Sequence, residues 1–223
     1  MNADPIAAIY RYLEAVAFQG RLQRCRETYL NAVTHAKRIL ILGEGDGRFL
    51  ARLVAQNPTS QIDVVEASGK MIALARNRIP SSRLHNINFY RQDARISLLP
   101  GSGYDVIVTN FFLDCFSDAE AAAIVTNAAE ALRPGGIWIV GDFQQPSEGI
   151  AALHAWLWLR VMYFAFRLTT GLRVASLPSI ETILASNGLV ALQRQQDWSS
   201  LLTAQLWQKP LARSSSLDQS QQE

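Results

Sequence analysis

Between Arg38 and Gln56 the chain commits itself to one local geometry. A short apolar run, Ile39-Leu40-Ile41-Leu42, ends at Gly43, and Gly45 and Gly47 follow it. From Phe49 to Gln56 apolar residues return at helical spacing and stop at Asn57-Pro58. An unbroken apolar run of this length reads as a strand buried on both faces, and the change of period marks a turn straight into a helix. Glycines at alternate positions let the backbone reverse sharply and let a ligand approach it closely. The helix opening there offers unpaired N–H groups and its positive dipole end to an anionic group. The same loop would also serve as a tight turn with no ligand.

The strand–turn–helix unit then recurs. Ile62 to Glu66 is expected as a strand, Lys70 to Arg78 as a helix stopped by Pro80, and Ile87 to Arg91 as a strand. Tyr104 to Thr109 follows as a strand, Asp118 to Leu132 as an Ala-rich helix closed by Arg133-Pro134-Gly135-Gly136, and Ile137 to Asp142 as a further strand. Strands separated by helices imply right-handed crossovers and a mostly parallel sheet covered on both faces. Residues 4–36 read as two helices broken at Gly20, the second over Leu22 to Ala36. After Asp142 a long aromatic-rich helical stretch spans 150–170, and Ser179 to Ser186 is a helix. Leu189 to Gln196 and Leu201 to Gln208 close the sheet as an antiparallel pair. The expected domains are helices over 1–36, one α/β domain over 37–211 with an insert at 150–178, and a disordered tail over 212–223.

Composition narrows the functional classes. The 223 residues are 49% hydrophobic and 18% charged, enough for one buried core. With 21 basic against 19 acidic residues, nothing calls for nucleic acid or an anionic membrane as partner. Two distant cysteines, Cys25 and Cys115, and three single histidines make neither a disulfide framework nor a metal cluster. No signal-peptide pattern opens the sequence, and His154, Arg160 and Arg167 interrupt the most apolar stretch. The expectation is a cytoplasmic protein without a membrane span.

The loop does not match the dinucleotide fingerprint, which wants its third glycine where this chain has Arg48. Glu66, ending the second strand, suits the hydroxyls of a ribose in either a nicotinamide or an adenosyl ligand. The succession Gly-Glu-Gly-Asp-Gly at 43–47, Val-Val-Glu-Ala-Ser at 64–68, Arg-Gln-Asp-Ala at 91–94, Tyr104 to Asp114 and Leu132 to Asp142 resembles the class I S-adenosylmethionine-dependent methyltransferases. The resemblance covers Lys37 to Asp142 and is closest to the small-molecule branch. It implies a Rossmann-like, seven-stranded, mostly parallel sheet with the last strand antiparallel, an N-terminal helical extension and a helical insert before the terminal strand pair. It implies S-adenosylmethionine as cofactor. On this pattern Gly43, Gly45 and Gly47 pack against its methionine portion, with Glu44 or Asp46 beside them. Glu66 holds the ribose next to Ala67, Asp93 and Ala94 approach the adenine, and Asn110 and Phe111 face the methionine amino end. Met71 packs on the adenine or belongs to the helix core. Ile41 stands where the family usually has Asp, and Asn110-Phe111-Phe112 lacks the prolines of enzymes that methylate nucleobase or amide nitrogens.

In methyl transfer the cofactor supplies the reactive group and the protein positions the acceptor. Asp114, just past the cofactor end of the fourth strand, is the candidate base, against the plainer role of a loop acid or cap. Residues 154–167 are a lid over an apolar acceptor, a homodimer face, or core. The function expected is methylation of a small, apolar or aromatic acceptor. A non-catalytic adenosylmethionine-binding module and an NAD-dependent oxidoreductase stand as alternatives.

Overall fold

The computed structural model describes residues 20–144, 178–197 and 201–211. The chain enters through α1 (Arg21–Glu27) and a single 3-10 turn (Leu30–Val33). It then alternates through β1 (Arg38–Leu42), α2 (Arg48–Gln56), β2 (Gln61–Glu66), α3 (Gly69–Arg78), β3 (Ile87–Arg91) and β4 (Tyr104–Asn110). A short turn (Leu113–Cys115) leads to α4 (Asp118–Ala131), β5 (Leu132–Phe143), α5 (Ile180–Ser186), β6 (Val190–Gln196) and β7 (Leu202–Gln208).

The seven strands form one sheet in the order β3-β2-β1-β4-β5-β7-β6. Pairing is parallel from β3 through β5, and β7 runs antiparallel to both β5 and β6. This is the Rossmann-like architecture expected, with the reversed strand in place. The chain leaves β1 toward β2 and β3, then returns to lay β4 on the other side of β1. The carboxyl ends of β1 and β4 therefore flank a switch point, where α/β sheets leave a crevice.

Strict alternation along the strands sorts the core into two layers. Leu40, Leu42, Ile107, Trp138, Val140 and Trp207 face α4 and α5. Ile39, Ile41, Val106, Val108, Ile139 and Leu206 face α2 and the turn at Leu30–Val33. β1 is buried along Ile39–Leu42, so its apolar run is the interior strand it was read to be. Ile41 is 1% exposed in this core and contributes no polar contact.

Two elements depart from the sequence reading. The helix expected over Leu22 to Ala36 stops at Glu27, because Tyr29 leaves helical geometry at φ −110°, ψ 25°. The break turns Tyr29, Leu30 and Val33 onto the core. Asn57 meets the carbonyls thus freed, its side-chain amide donating to Val33 O and Ala36 O at 2.7 Å each. β5 begins at Leu132, before the Pro134-Gly135-Gly136 turn, because that turn is paired: Gly135 N–H donates to Lys209 O and Lys209 N–H to Gly136 O.

A buried polar pair fixes the bottom of the sheet. The Tyr104 hydroxyl donates to Asp63 Oδ2 at 2.7 Å, and Asn88 Nδ2 donates to Asp63 Oδ1 at 2.9 Å. Tyr104→Phe removes one donor from a buried carboxylate and should cost about 1–3 kcal/mol. Chemical denaturation should register that loss with an unchanged m-value.

Candidate active site

The three loop glycines all have positive φ, but each is required for a different reason. Gly47 precedes α2, and a methyl group there would lie 2.5 Å from Ala75 Cα, so it allows α2 and α3 to approach. At Gly43 a methyl group would overlap the Phe112 ring. At Gly45 a methyl group would meet nothing within 4 Å among the described residues. Only this middle glycine opens its backbone to free space.

Acidic side chains hold the loop. Glu66 Oε2 accepts from Gly45 N–H at 3.2 Å and Oε1 from Ser68 N–H at 2.8 Å, joining the turns after β1 and β2. Gly47 has no side chain to cap α2, and Glu44 takes that role: its Oε1 accepts from Leu50 N–H at 2.8 Å. Burial pushes the Glu44 carboxyl up to about 8, against the lowering effect of the Leu50 bond. Asp46 pairs with Arg78 at 2.8 Å and Arg48 at 3.2 Å. Of the two acids flanking Gly45, Glu44 serves the helix end and Asp46 the surface of α3.

Along the β2–β3 side, Ala67 and Met71 are half-buried. Met71 N–H is capped by the Ser68 hydroxyl at 3.2 Å. Asp93 lies past β3, its two oxygens engaged by Arg95 at 2.6–3.2 Å. Those bonds hold its carboxyl down at about 2. Ala94 packs against the core beneath.

The ends of β4 and β5 carry the unusual chemistry. Asn110 is 9% exposed, and among the described residues neither atom of its amide finds a hydrogen-bond partner. Buried amides are rarely left so. Phe111 has φ 53°, a conformation that costs a non-glycine residue on the order of 1 kcal/mol. Its ring is held by Phe143 at 5.1 Å, with Arg26 at 5.1 Å above it, and its N–H donates to Gly141 O. Phe112 meets Phe116 edge-on at 4.9 Å. These four rings line the ends of the two strands.

Asp114 is buried in the turn after β4, and Cys115 Sγ lies 3.6 Å from its Oδ1. Asp142, near the end of β5, is also buried and stands within hydrogen-bond reach of the Asp114 carboxyl. Burial raises both acids; the Asp114 charge pushes Asp142 up further, while the bond from Asp142 draws Asp114 down, so the proton of the pair rests on Asp142. The sequence reading singled out Asp114 but took Asp142 only as the end of a strand. Thr203 and Phe112 were missed too. The register of β4 on β5, Asn110 opposite Gly141, is what brings the two acids together, and no spacing in the sequence encodes it. His154, Trp158, the rest of the insert, and the N-terminal and tail assignments for 1–19 and 212–223 lie outside the described residues. Among the described residues no helix is long and apolar enough to cross a membrane.

Comparison with known proteins gives this geometry a context. Residues 40–138 match the family model of a methyltransferase domain. The chain is 28% identical over 136 residues to demethylmenaquinone methyltransferase from Thermus thermophilus, covering 60% of each protein. It is 28% identical over 132 residues to polyamine aminopropyltransferase from Salmonella paratyphi A, covering 52% of this chain and 44% of that one. The chain spans about a third to three-fifths of the curated relatives it matches. Among solved structures it superposes, at TM-score 0.62 and 18% identity, on the N-methyltransferase NodS from Bradyrhizobium japonicum WM9 in complex with S-adenosyl-L-homocysteine. That match covers 85% of this chain and 88% of NodS.

Two stability predictions follow from the loop. Gly47→Ala should destabilise the fold by several °C in melting temperature through the clash with Ala75, whereas Gly45→Ala should lose only the ~1 kcal/mol of backbone strain. Glu44 has a folded-state value above its unfolded one, so the folded protein holds the extra proton. Its contribution to stability therefore falls as pH rises from about 4.5 to about 8. Glu44→Gln still accepts from Leu50 and never ionises. Its melting temperature relative to the parent should rise across that window, measured by calorimetry at pH 5 and pH 9.

Proposed function

We infer that this chain, which carries a class I S-adenosylmethionine-dependent methyltransferase domain, methylates a small acceptor with an apolar or aromatic body, with Asp114 as the base. The observation that carries the reading is the position of Asp114. It is a buried carboxyl, without an ion pair among the described residues, on the turn that puts Phe112 against Gly43 of the glycine loop.

The residues fit the cofactor. Gly45 presents backbone to open space, as a closely packed ligand requires. Glu66 joins the turns after β1 and β2 through two backbone N–H groups, which fixes a carboxylate at the end of β2 where ribose hydroxyls would meet it. Asn110 has amide donors and an acceptor without partners beside the methionine end. Asp93 would have to share its carboxylate with Arg95 to reach the adenine amino group. Ala94, Ala67 and Met71 supply apolar surface around that ring. When bound, the cofactor supplies an electrophilic methyl group on a sulfonium.

The remaining work falls to the protein's own residues. Phe111, Phe112, Phe116 and Phe143 offer an aromatic surface to the acceptor's body at the strand ends. A phenol, enol or activated ring carbon held there lies where Asp114 can take its proton as the new bond forms. The rings also exclude water, which strengthens that interaction. The homodimer reading belongs to residues 154–167, as one of their three expected roles beside a lid and core. The alternative of a non-catalytic binding module predicts cofactor binding without product. An oxidoreductase predicts affinity for NAD instead.

The test is methyl transfer from tritiated S-adenosylmethionine to a panel of phenolic and quinol acceptors. Asp114→Asn should leave S-adenosylhomocysteine affinity within about twofold and lower turnover by about 10²–10⁴-fold. Full activity in Asp114→Asn would return Asp114 to the role of a buried structural acid.

A further inference from the structure

The end of the sheet holds more polar chemistry than one base requires. Asp142 is 3% exposed and Asp114 5% exposed. Asp142 Oδ1 accepts from Phe143 N–H at 3.0 Å, while Oδ2 has no donor. The facing Asp114 carboxyl cannot supply one unless it is protonated. Opposite Asp142 in the antiparallel register of β5 on β7 stands Thr203. Paired residues project from the same face of a sheet, so the Thr203 hydroxyl leaves β7 beside the Asp142 carboxyl. That hydroxyl is also buried and, among the described residues, also without a partner. No ion pair reaches either acid among the described residues.

We propose that Asp142 and Asp114 form one buried carboxyl pair that holds a single proton, and that the methyl acceptor meets this pair and the Thr203 hydroxyl rather than an isolated Asp114. The proposal rests on the methyltransferase reading for its substrate and on geometry for the pair.

Two carboxylates packed together away from cations cannot both be ionised, and one proton between them is the low-energy state. The surrounding groups reinforce this. Cys115 lies on the same turn as Asp114, and Cys25 of α1 lies near Gly141 with its Sγ directed to Thr203 O. Both thiols are held protonated by burial and by the acids themselves, Cys25 pushed up to about 12 and Cys115 well above the usual thiol range. Glu66 adds negative charge from the β2 side. Arg26 is the cation acting on this side, and it lies over the Phe111 ring. The niche is thus poised as a monoanion.

A monoanionic pair is matched to a neutral acceptor that must lose a proton. The acceptor's O–H bond breaks and its proton passes to the open carboxylate oxygen, turning the monoanion into the neutral diacid. The oxygen's electron pair forms the bond to the methyl carbon. The electrons of the carbon–sulfur bond stay on sulfur, which loses its positive charge. Thr203 donates or accepts one hydrogen bond to the acceptor's heteroatom and holds it in line. Asp142 acts through Asp114 and is a positioning residue by this account; it sets the proton count of the site.

The experiment is a carbon-13 titration of the carboxyl groups in the full chain labelled with [¹³C]aspartate, from pH 4 to pH 10. Asp114→Asn and Asp142→Asn assign the two resonances. In the parent the pair should lose its protons in two separated steps, with one carboxyl proton still present at about pH 7. In Asp142→Asn the side-chain amide donates to Asp114, and the upper step should vanish, Asp114 titrating at least about one pH unit lower. Thr203→Val should leave both steps in place. Two fully ionised carboxylates at pH 7 in the parent, a result that needs no variant to fold, would overturn the proposal. So would an unchanged Asp114 titration in a folded Asp142→Asn protein. Calorimetric titration of the same samples with S-adenosylhomocysteine separates the two claims. Absence of binding would sink the methyltransferase reading while leaving the pair's titration to stand or fall by itself.

Discussion

The site depends on the change of direction at β1. With β2 on one side and β4 on the other, the loops that follow β1 and β4 flank a switch point of the kind at which α/β sheets leave a crevice. The first loop must turn within five residues from an interior strand into α2, close enough to α3 that Gly47 cannot carry a Cβ. The second ends in Phe111, held at positive φ by a backbone bond to Gly141 and by its ring on Phe143. Both turns are strained or glycine-dependent because both are drawn toward the same crevice. Strain of that kind persists only where the surrounding packing enforces it.

That geometry also explains the polar residues the core tolerates. Glu66 closes the crevice on the β2 side by linking two turns through their N–H groups. Glu44 caps α2 because a glycine occupies the cap position. On the β4–β5 side the polar groups are not closed off in this way. The Asn110 amide, Asp142 Oδ2 and Thr203 Oγ1 remain without partners. Buried groups in that condition cost about 1–3 kcal/mol each, and a fold carries such a cost where a ligand repays it. On the β1–β2 side acidic side chains hold the turns together, whereas on the β4–β5 side the polar groups have no such protein partners among the described residues.

Much of this was legible from residue order. Short apolar runs marked β1, β2 and β4 to within a residue, because interior parallel strands have no polar alternation to blur them. The positions of the glycine loop after β1, of Glu66 and Asn110 as last residues of β2 and β4, and of Asp114 in the turn after β4 were legible because the strand ends were. Long-range contacts were not. The break at Tyr29 is decided by Asn57 and by the apolar layer beneath, neither of which shows in helical periodicity. The capping box of α4, with Ser117 and Glu120 bonded reciprocally, was available in the sequence as Ser-x-x-Glu and went unused. The partnership of Asp114 and Asp142 depends on register between β4 and β5, and the exposure of Thr203 to it depends on register between β5 and β7. A sequence names the strands without fixing how they align.

The central claim is that the free face of Gly45 and the unpartnered groups beyond β4 and β5 are two ends of one ligand site. A crystal structure with S-adenosylhomocysteine tests it most directly. The account predicts the ligand's backbone-facing side over Gly45, its ribose on Glu66, its amino-acid end at Asn110, and its sulfur directed toward Asp114 and Asp142. A ligand bound elsewhere, or one whose sulfur faces away from the carboxyl pair, would contradict it.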